Sequence, residues 1–294
     1  MTIERSSRAE INGETRLIAI IGDPIAQVKS PIYYNRMLAA AGANAVLVPW
    51  HASSETFDVV MRGLLETRNV DGVVVTFPYK QRAVAFAKTL EPMAELLGAV
   101  NVLRREADGH WTGALFDGHG LIEGARKRGI VTKSGRAQLI GAGGAGSAIA
   151  YALASEGAIS ISIADTDAGR RDALVNGVKT RYPDCSVEPG HSPLKDISLL
   201  INATQVGLQD TDGLPMPIDG MTARTAVIDI VPGRDTELLR RAAALGCLTL
   251  SGSAMVEGQT GIVLRFLNKI EAFEALADGN ADLRQASQGE FTHE

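Results

Sequence analysis

Cysteine is nearly absent from this chain: Cys185 and Cys247 are the two among 294 residues. Two cysteines cannot build a disulfide framework or a four-cysteine zinc site, and a reducing cytoplasm is the simplest setting for them. No apolar run approaches the 18 or so residues that a bilayer span needs. Neither charge sign dominates. Lys and Arg number 29 against 34 Asp and Glu, a net −5, which offers no electrostatic footprint for nucleic acid or an anionic membrane. The polar stretch 1–16 lacks the apolar core of a secretory signal, and 278–294 reads as an equally loose tail. His51, His110, His119 and His191 show no metal-ligand spacing, so no metal is expected. What remains is ordinary for a soluble globular chain, with 45% hydrophobic and 21% charged residues. The length suggests roughly two domains.

From Leu17 the chain alternates short apolar runs with amphipathic segments. Leu17–Ile21, Val46–Trp50 and Val73–Phe77 read as strands, the first buried on both faces. Ser30-Pro31 opens a helix that Gly42 closes, with Ser30 as its expected cap. Further helices are predicted over Phe57–Leu65, Lys80–Thr89 and Glu91–Leu97, so the first ~100 residues predict a parallel α/β sheet. Asn101–Trp111 reads as two short strands around Asp108-Gly109. A second series begins near Gly135, with strands at Ala137–Ile140, Ile159–Ala164, Leu199–Ile201, Ala226–Ile230 and Leu248–Leu250. Its helices are predicted at Gly144–Ser155, Arg170–Thr180 and Asp235–Leu245, and a last helix, Ala254–Leu276, is expected to pack back on the first unit. Ligands of such sheets sit beyond the carboxyl ends of the strands, in the cleft between units.

Gly141-Ala142-Gly143-Gly144-Ala145-Gly146 matches G-x-G-x-x-G between a strand and a helix. The first glycine permits a tight turn, the second lets backbone approach a pyrophosphate, and the third packs helix on strand. Asp165, 19 residues after Gly146 and directly after an apolar strand, is placed to accept hydrogen bonds from an adenosine ribose. Its charge would repel a 2′-phosphate, so NAD is favoured over NADP. Arg170 and Arg171 follow only after Thr166, Asp167, Ala168 and Gly169.

In the first unit, Thr76 ends a strand, and Lys80 falls in the first turn of a predicted helix, where the helix dipole opposes a cation. That misplacement suits a proton shuttle, with Asp117 as its candidate carboxylate partner. Asn101 can both donate to and accept from a hydroxylated ligand.

Gly22-Asp23-Pro24-Ile25-Ala26 with Lys29-Ser30-Pro31 resembles the start of the shikimate dehydrogenase and quinate/shikimate dehydrogenase family. Thr76-Phe77-Pro78-Tyr79-Lys80, Gly98-Ala99-Val100-Asn101, Asp117-Gly118, Gly141–Ala145, Asn202-Ala203-Thr204 with Gly207, and Gly252 through Met255 to Gln259 follow in family order. The resemblance spans about Leu17–Leu267. It implies a two-domain α/β protein: a discontinuous substrate domain over 1–116, completed by 253–294, and a Rossmann-type doubly wound dinucleotide-binding domain over 117–252. It implies Lys80 and Asp117 as the catalytic pair, with Ser30, Thr76, Asn101 and Gln259 holding the substrate. Gly141, Ala142, Gly143, Gly144, Ala145, Asp165, Thr166, Thr204, Ile230 and Gly252 would meet the cofactor. The implied reaction is reversible hydride transfer between NAD(P) and a ring hydroxyl or ketone of a shikimate- or quinate-like cyclic carboxylate, in a cytoplasmic monomer or homodimer.

The departures bear on the substrate. The family's Ser-x-Ser is Val28-Lys29-Ser30, its strand asparagine is Val74, the threonine after Asn101 is Val102, and Ala114-Leu115-Phe116 replaces Asp-Asn-Thr before Asp117. A family tyrosine is missing after Asp229-Ile230-Val231, and Ala164-Asp165-Thr166 replaces the Asn-Arg-Thr of NADP users, as in the NAD-using branch. Each lost hydrogen bond costs about 0.5–1.5 kcal/mol. Two alternatives therefore stand beside the main expectation: the same chemistry on a less hydroxylated substrate, and a non-catalytic ligand sensor on the same fold. A folate-linked two-domain dehydrogenase fits less well, because Asn101, Asp117 and Gln259 occur together in order.

Overall fold

The computed structural model describes residues 11–209, 211–231 and 234–269. The expected tails at either end fall largely outside the described residues. Two six-stranded sheets carry the chain.

The first sheet begins with β1 (Arg16–Gly22), α1 (Ser30–Ala40), β2 (Ala45–His51), α2 (Phe57–Glu66) and β3 (Val70–Val75). It continues with β4 (Thr89–Leu90), α3 (Pro92–Leu97), β5 (Val102–Arg105) and β6 (Trp111–Ala114). The strand order is β2-β1-β3-β5-β6-β4. Ala19 and Ile21 of β1 point into one apolar cluster and Ile18 and Ile20 into another, which explains the uninterrupted run LIAII.

α4 (Asp117–Lys127) leads to the second sheet: β7 (Arg136–Ile140), α5 (Gly144–Ser155), β8 (Ser160–Ala164), α6 (Ala168–Arg181) and β9 (Ser186–Pro189). β10 (Leu199–Asn202), β11 (Ala226–Asp229), α7 (Glu237–Ala244) and β12 (Thr249–Ser251) complete it, before α8 (Ser253–Phe266). All its strands are parallel, in the order β12-β11-β10-β7-β8-β9. This is the doubly wound Rossmann arrangement, whose switch point lies between β7 and β10.

Several expectations need correction. The first sheet is mixed beyond the parallel β1, β2 and β3 expected for the first ~100 residues: β5 and β6 form the expected strand pair, antiparallel across the short turn at Gly109 (φ +89°), and β5 also pairs antiparallel with β3. Lys80–Thr89 is not a helix. Only Arg82–Phe86 form a short 3-10 turn, and the backbone N–H groups of Lys88 and Glu91 bond Trp111 and Gly113 carbonyls instead. Tertiary pairing here overrides an alanine-rich helical sequence. The third strand stops at Val75, Ser30 lies inside α1 with Lys29 before it, and no side chain caps that helix. The last helix ends at Phe266, and its predicted extension past Lys269 lies outside the described residues. α4 and β9 were not foreseen; glycines at 118, 120 and 124 hide α4 from a propensity reading.

Those glycines position the site. A Cβ on Gly118 would fall 2.1 Å from the Ala148 carbonyl oxygen of α5. On the other side, a Cβ on Gly124 would lie 2.3 Å from the Ala254 oxygen, and one on Gly258 would lie 2.0 Å from the Gly120 oxygen. Helix α4 is thus clasped backbone to backbone by α5 and α8. Helix α8 in turn packs Val263, Leu264 and Leu267 against the first sheet.

Candidate functional site

The carboxyl ends of β1 and β3 and the starts of β5 and α4 converge on one buried polar group. Tyr79 anchors the turn after β3: its hydroxyl donates to the Ala52 carbonyl (2.6 Å), and its ring stacks on Phe57. The Lys80 carbonyl then accepts from Val100 N–H (2.8 Å), so the backbone at Lys80 is fixed from two sides. Lys80 Nζ donates to Asp117 Oδ2 at 2.5 Å, with the lysine side chain one-third exposed and the aspartate buried. The lysine therefore projects from an irregular turn, and it is the carboxylate that opens a helix, where the dipole favours it.

Asn101 ties the group together. Its Nδ2 donates to Asp117 Oδ1 (3.1 Å) and to Gln259 Oε1 (3.2 Å), while its Oδ1 accepts from Phe116 N–H (3.1 Å). Gln259 reaches this point because the α4–α8 glycine seam brings the two helices within backbone contact. Ser30, at the start of α1, is buried, and Thr76 lies just past β3. Neither side chain hydrogen-bonds to this quartet. A Cβ on Gly22 would fall 2.4 Å from Thr76 Cγ2, so the loops after β1 and β3 close on each other only because residue 22 has no side chain.

At the carboxyl end of the second sheet, Gly141 turns at φ +101°, and a Cβ on Gly146 would lie 1.9 Å from the Gly141 oxygen. Gly143 and Gly144 face open space at the start of α5. That is the geometry of a phosphate cradle. Asp165 Oδ2 accepts from Ala142 N–H (2.6 Å), and its Oδ1 accepts from Asp167 N–H (2.8 Å) and the Arg170 guanidinium (3.1 Å). Burial alone would raise the Asp165 pKa; these donors outweigh it and hold the carboxyl below its ordinary range. Thr166 is exposed, and Asp167, not Asp165, caps α6.

Thr204 belongs to a network that was only partly legible. Its hydroxyl donates to Asn202 Oδ1 (2.7 Å); Asn202 Nδ2 donates to Asp229 Oδ1 (3.1 Å), and Thr236 donates to Asp229 Oδ2 (2.7 Å). Gly252 abuts Ile230, with a Cβ placed 2.5 Å from its carbonyl oxygen. Thr236 escaped the sequence reading, and Asp229 entered it only as the start of Asp229-Ile230-Val231, with no role of its own.

A sequence profile for the shikimate dehydrogenase substrate binding domain matches residues 20–103. The shikimate dehydrogenase (NADP(+)) of Rubrobacter xylanophilus is 36% identical over 256 residues, covering 84% of this chain and 88% of the relative. The chain belongs to the shikimate dehydrogenase family. Members of this family are oxidoreductases acting on CH–OH with NADP or NAD. Among solved structures, shikimate 5-dehydrogenase from Listeria monocytogenes, in complex with shikimate and NAD, matches with a TM-score of 0.79 and 28% identity, covering 94% of this chain and 98% of that one. A 5-ketofructose reductase of Gluconobacter sp. strain CHM43 has the same TM-score, 0.79, at 25% identity, covering 89% and 96%. The profile span contains Ser30, Thr76, Lys80 and Asn101, whereas Asp117 and Gln259 enter this family member's site from α4 and α8, outside the matched segment.

Proposed function

We propose that this family member oxidises a ring hydroxyl of a small shikimate- or quinate-like cyclic carboxylate and, in reverse, reduces the corresponding ring ketone. The observation that carries the reading is the Lys80–Asp117 ion pair at 2.5 Å, held by Asn101 and Gln259, on a chain whose second sheet ends in a glycine cradle. A bound nicotinamide dinucleotide supplies the hydride acceptor or donor. Lys80 holds the hydroxyl oxygen and takes or returns its proton at Nζ; Asp117 orients that ammonium and balances its charge. Asn101, Gln259, Ser30 and Thr76 bind the ring substituents, which fixes the reacting carbon. Residues 1–116 with 253–294 serve the substrate and 117–252 the cofactor, through Gly141–Ala145, Asp165, Thr166, Thr204, Ile230 and Gly252. We place the protein in the cytoplasm, as a monomer or a homodimer.

The cofactor we favour is NAD, because an ionised Asp165 beside the cradle opposes a 2′-phosphate; the Arg170 contact at 3.1 Å offsets part of that charge. Among the described residues, no helix is long and apolar enough to cross a membrane.

A second reading rests on one observation. Val74 and Val102 are buried in an apolar cluster that Val28 and Phe116 border, so four positions at which the family has polar groups are packed together as hydrocarbon. That favours a less hydroxylated substrate for the same chemistry. Nicotinamide absorbance with shikimate, quinate and less hydroxylated cyclohexene carboxylates, each with NAD and NADP, tests both readings. A wide margin for shikimate removes the second reading. Ligand binding with no turnover on any compound removes both in favour of a sensor.

A further inference from the structure

β10 and β11 end side by side on two fully buried polar residues, Asn202 and Asp229, which are partners in the strand register. The Asp229 carboxylate accepts from three neutral donors: Asn202 Nδ2 (3.1 Å) and Val231 N–H (3.1 Å) on Oδ1, and the Thr236 hydroxyl (2.7 Å) on Oδ2. Burying a carboxylate on neutral donors is costly, and an apolar residue would end the strand without that cost. An amide fits less well, because its N–H₂ would meet the Thr236 hydroxyl, which already accepts from Leu239 N–H (3.3 Å). The position calls for a group that only accepts, and what that group holds is loop backbone.

Through Asn202 it holds 203–207. Asn202 Oδ1 accepts from the Thr204 N–H (3.1 Å) and hydroxyl (2.7 Å), and its Nδ2 also donates to the Val206 carbonyl (3.0 Å). Thr204 in turn lies against the cradle, where a Cβ on Gly141 would fall 3.0 Å from its Cγ2. Beyond β11, Asp229 holds Val231 and Thr236 directly, and the Ile230 carbonyl packs on Gly252 at the start of α8, the helix that carries Gln259. The strand order says what these loops border. Asp165 follows β8 on one side of the cradle after β7, and β10 and β11 lie on the other side. A dinucleotide whose adenosine ribose meets Asp165 therefore extends its nicotinamide half toward the loops that Asp229 ties. We propose that Asp229 is the positioning residue of the nicotinamide seat, its buried carboxylate fixing Thr204 and Ile230 between the cradle and α8. This rests on the dinucleotide reading above.

The test compares NADH with ADP-ribose, which lacks the nicotinamide ring, by titration of the full chain. In Asp229→Asn the NADH Kd rises about tenfold and the ADP-ribose Kd stays within about twofold, while the emission of bound NADH shifts toward that of free NADH. NADPH and 2′-phospho-ADP-ribose are titrated in parallel, so the outcome is independent of cofactor preference. Thr236→Val removes the Oδ2 donor and gives the same split; Thr236→Ser keeps the hydroxyl and binds both compounds as the wild type does. These two variants decide the question if Asp229→Asn does not fold. Unchanged NADH binding in the variants overturns the proposal. So does an equal loss of NADH and ADP-ribose, which marks general damage to the second sheet, or a Thr236→Ser that behaves as Thr236→Val, which marks packing alone. A wild type that binds neither dinucleotides nor their fragments overturns the dinucleotide reading and this inference with it. A wild type that binds both, matched by its variants, overturns this inference alone.

Discussion

Lys80 and Asp117 stand 37 positions apart in the chain and 2.5 Å apart in space, and in the proposed reaction the pair concentrates the chemistry in two atoms. Removing the ammonium leaves a buried carboxylate beside the substrate oxygen, so Lys80→Ala should lower kcat by about 10²–10⁴ while NADH still binds. Fluorescence titration of NADH alongside initial rates separates the two effects. Asp165 is proposed to govern a different quantity, the choice of cofactor. Asp165→Asn removes the anion near the cradle and keeps one side-chain acceptor, enough for Ala142 or Asp167 but not both, so NADPH affinity should rise relative to NADH by on the order of tenfold. Equal Kd ratios for the wild type and this variant would refute the electrostatic account of cofactor choice.

Helices α4 and α8 act as one element, because glycine lets their backbones touch. A Cβ on Gly258 would lie 2.0 Å from the Gly120 oxygen and 2.6 Å from the Gly124 nitrogen, and neither backbone atom can move alone. Gly258→Ala should therefore push α8 outward, cost about 1–3 kcal/mol, and pull Gln259 away from Asn101. Thermal melting reads the first effect and a raised substrate KM the second; a variant with wild-type Tm would show that the seam yields. The far end of α8 is held differently. Asp71 of β3 accepts from both Arg16 and Lys269. Burial alone would raise its pKa, but these two cations outweigh that and lower it. A lowered folded-state pKa means the clamp stabilises fully above the unfolded value near 3.8 and is lost as pH falls through the folded value. Asp71→Asn should accordingly lower Tm at pH 7 and make little difference near pH 2, which parallel melts at the two pH values would reveal.

At the scale of the whole molecule, the two sheets share their helices. α4 rests on α5 of the second sheet at Gly118 and on α8 at Gly120 and Gly124, while α8 covers the first sheet. A ligand bound at the second sheet is therefore mechanically continuous with the substrate group. Mass action alone gives about 2.7 kcal/mol of stabilisation at a hundredfold excess over Kd, so NADH at that level should raise Tm by several degrees in a single cooperative transition. Two separate transitions, only one of them moved by NADH, would show the halves to be uncoupled.

The sequence by itself determined the local content of this protein. LIAII had to be a strand buried on two faces, the G-x-G-x-x-G turn had to join strand to helix, and the motif order named Lys80, Asn101, Asp117 and Gln259 in advance of any coordinates. These follow from side-chain period and glycine sterics, which are properties of neighbours in the chain. Only the tertiary structure decided where backbone partners lie. It turned 80–89 from a predicted helix into a turn and an edge strand by offering the carbonyls of Trp111 and Gly113, and it placed β5 antiparallel. It made a helix of the glycine-rich 117–127, because close approach to α5 and α8 rewards what helix propensity penalises. It also joined Asn202, Asp229 and Thr236 in one buried network, which no spacing rule could reveal, since a hydrogen bond between elements is a fact about everything surrounding a residue.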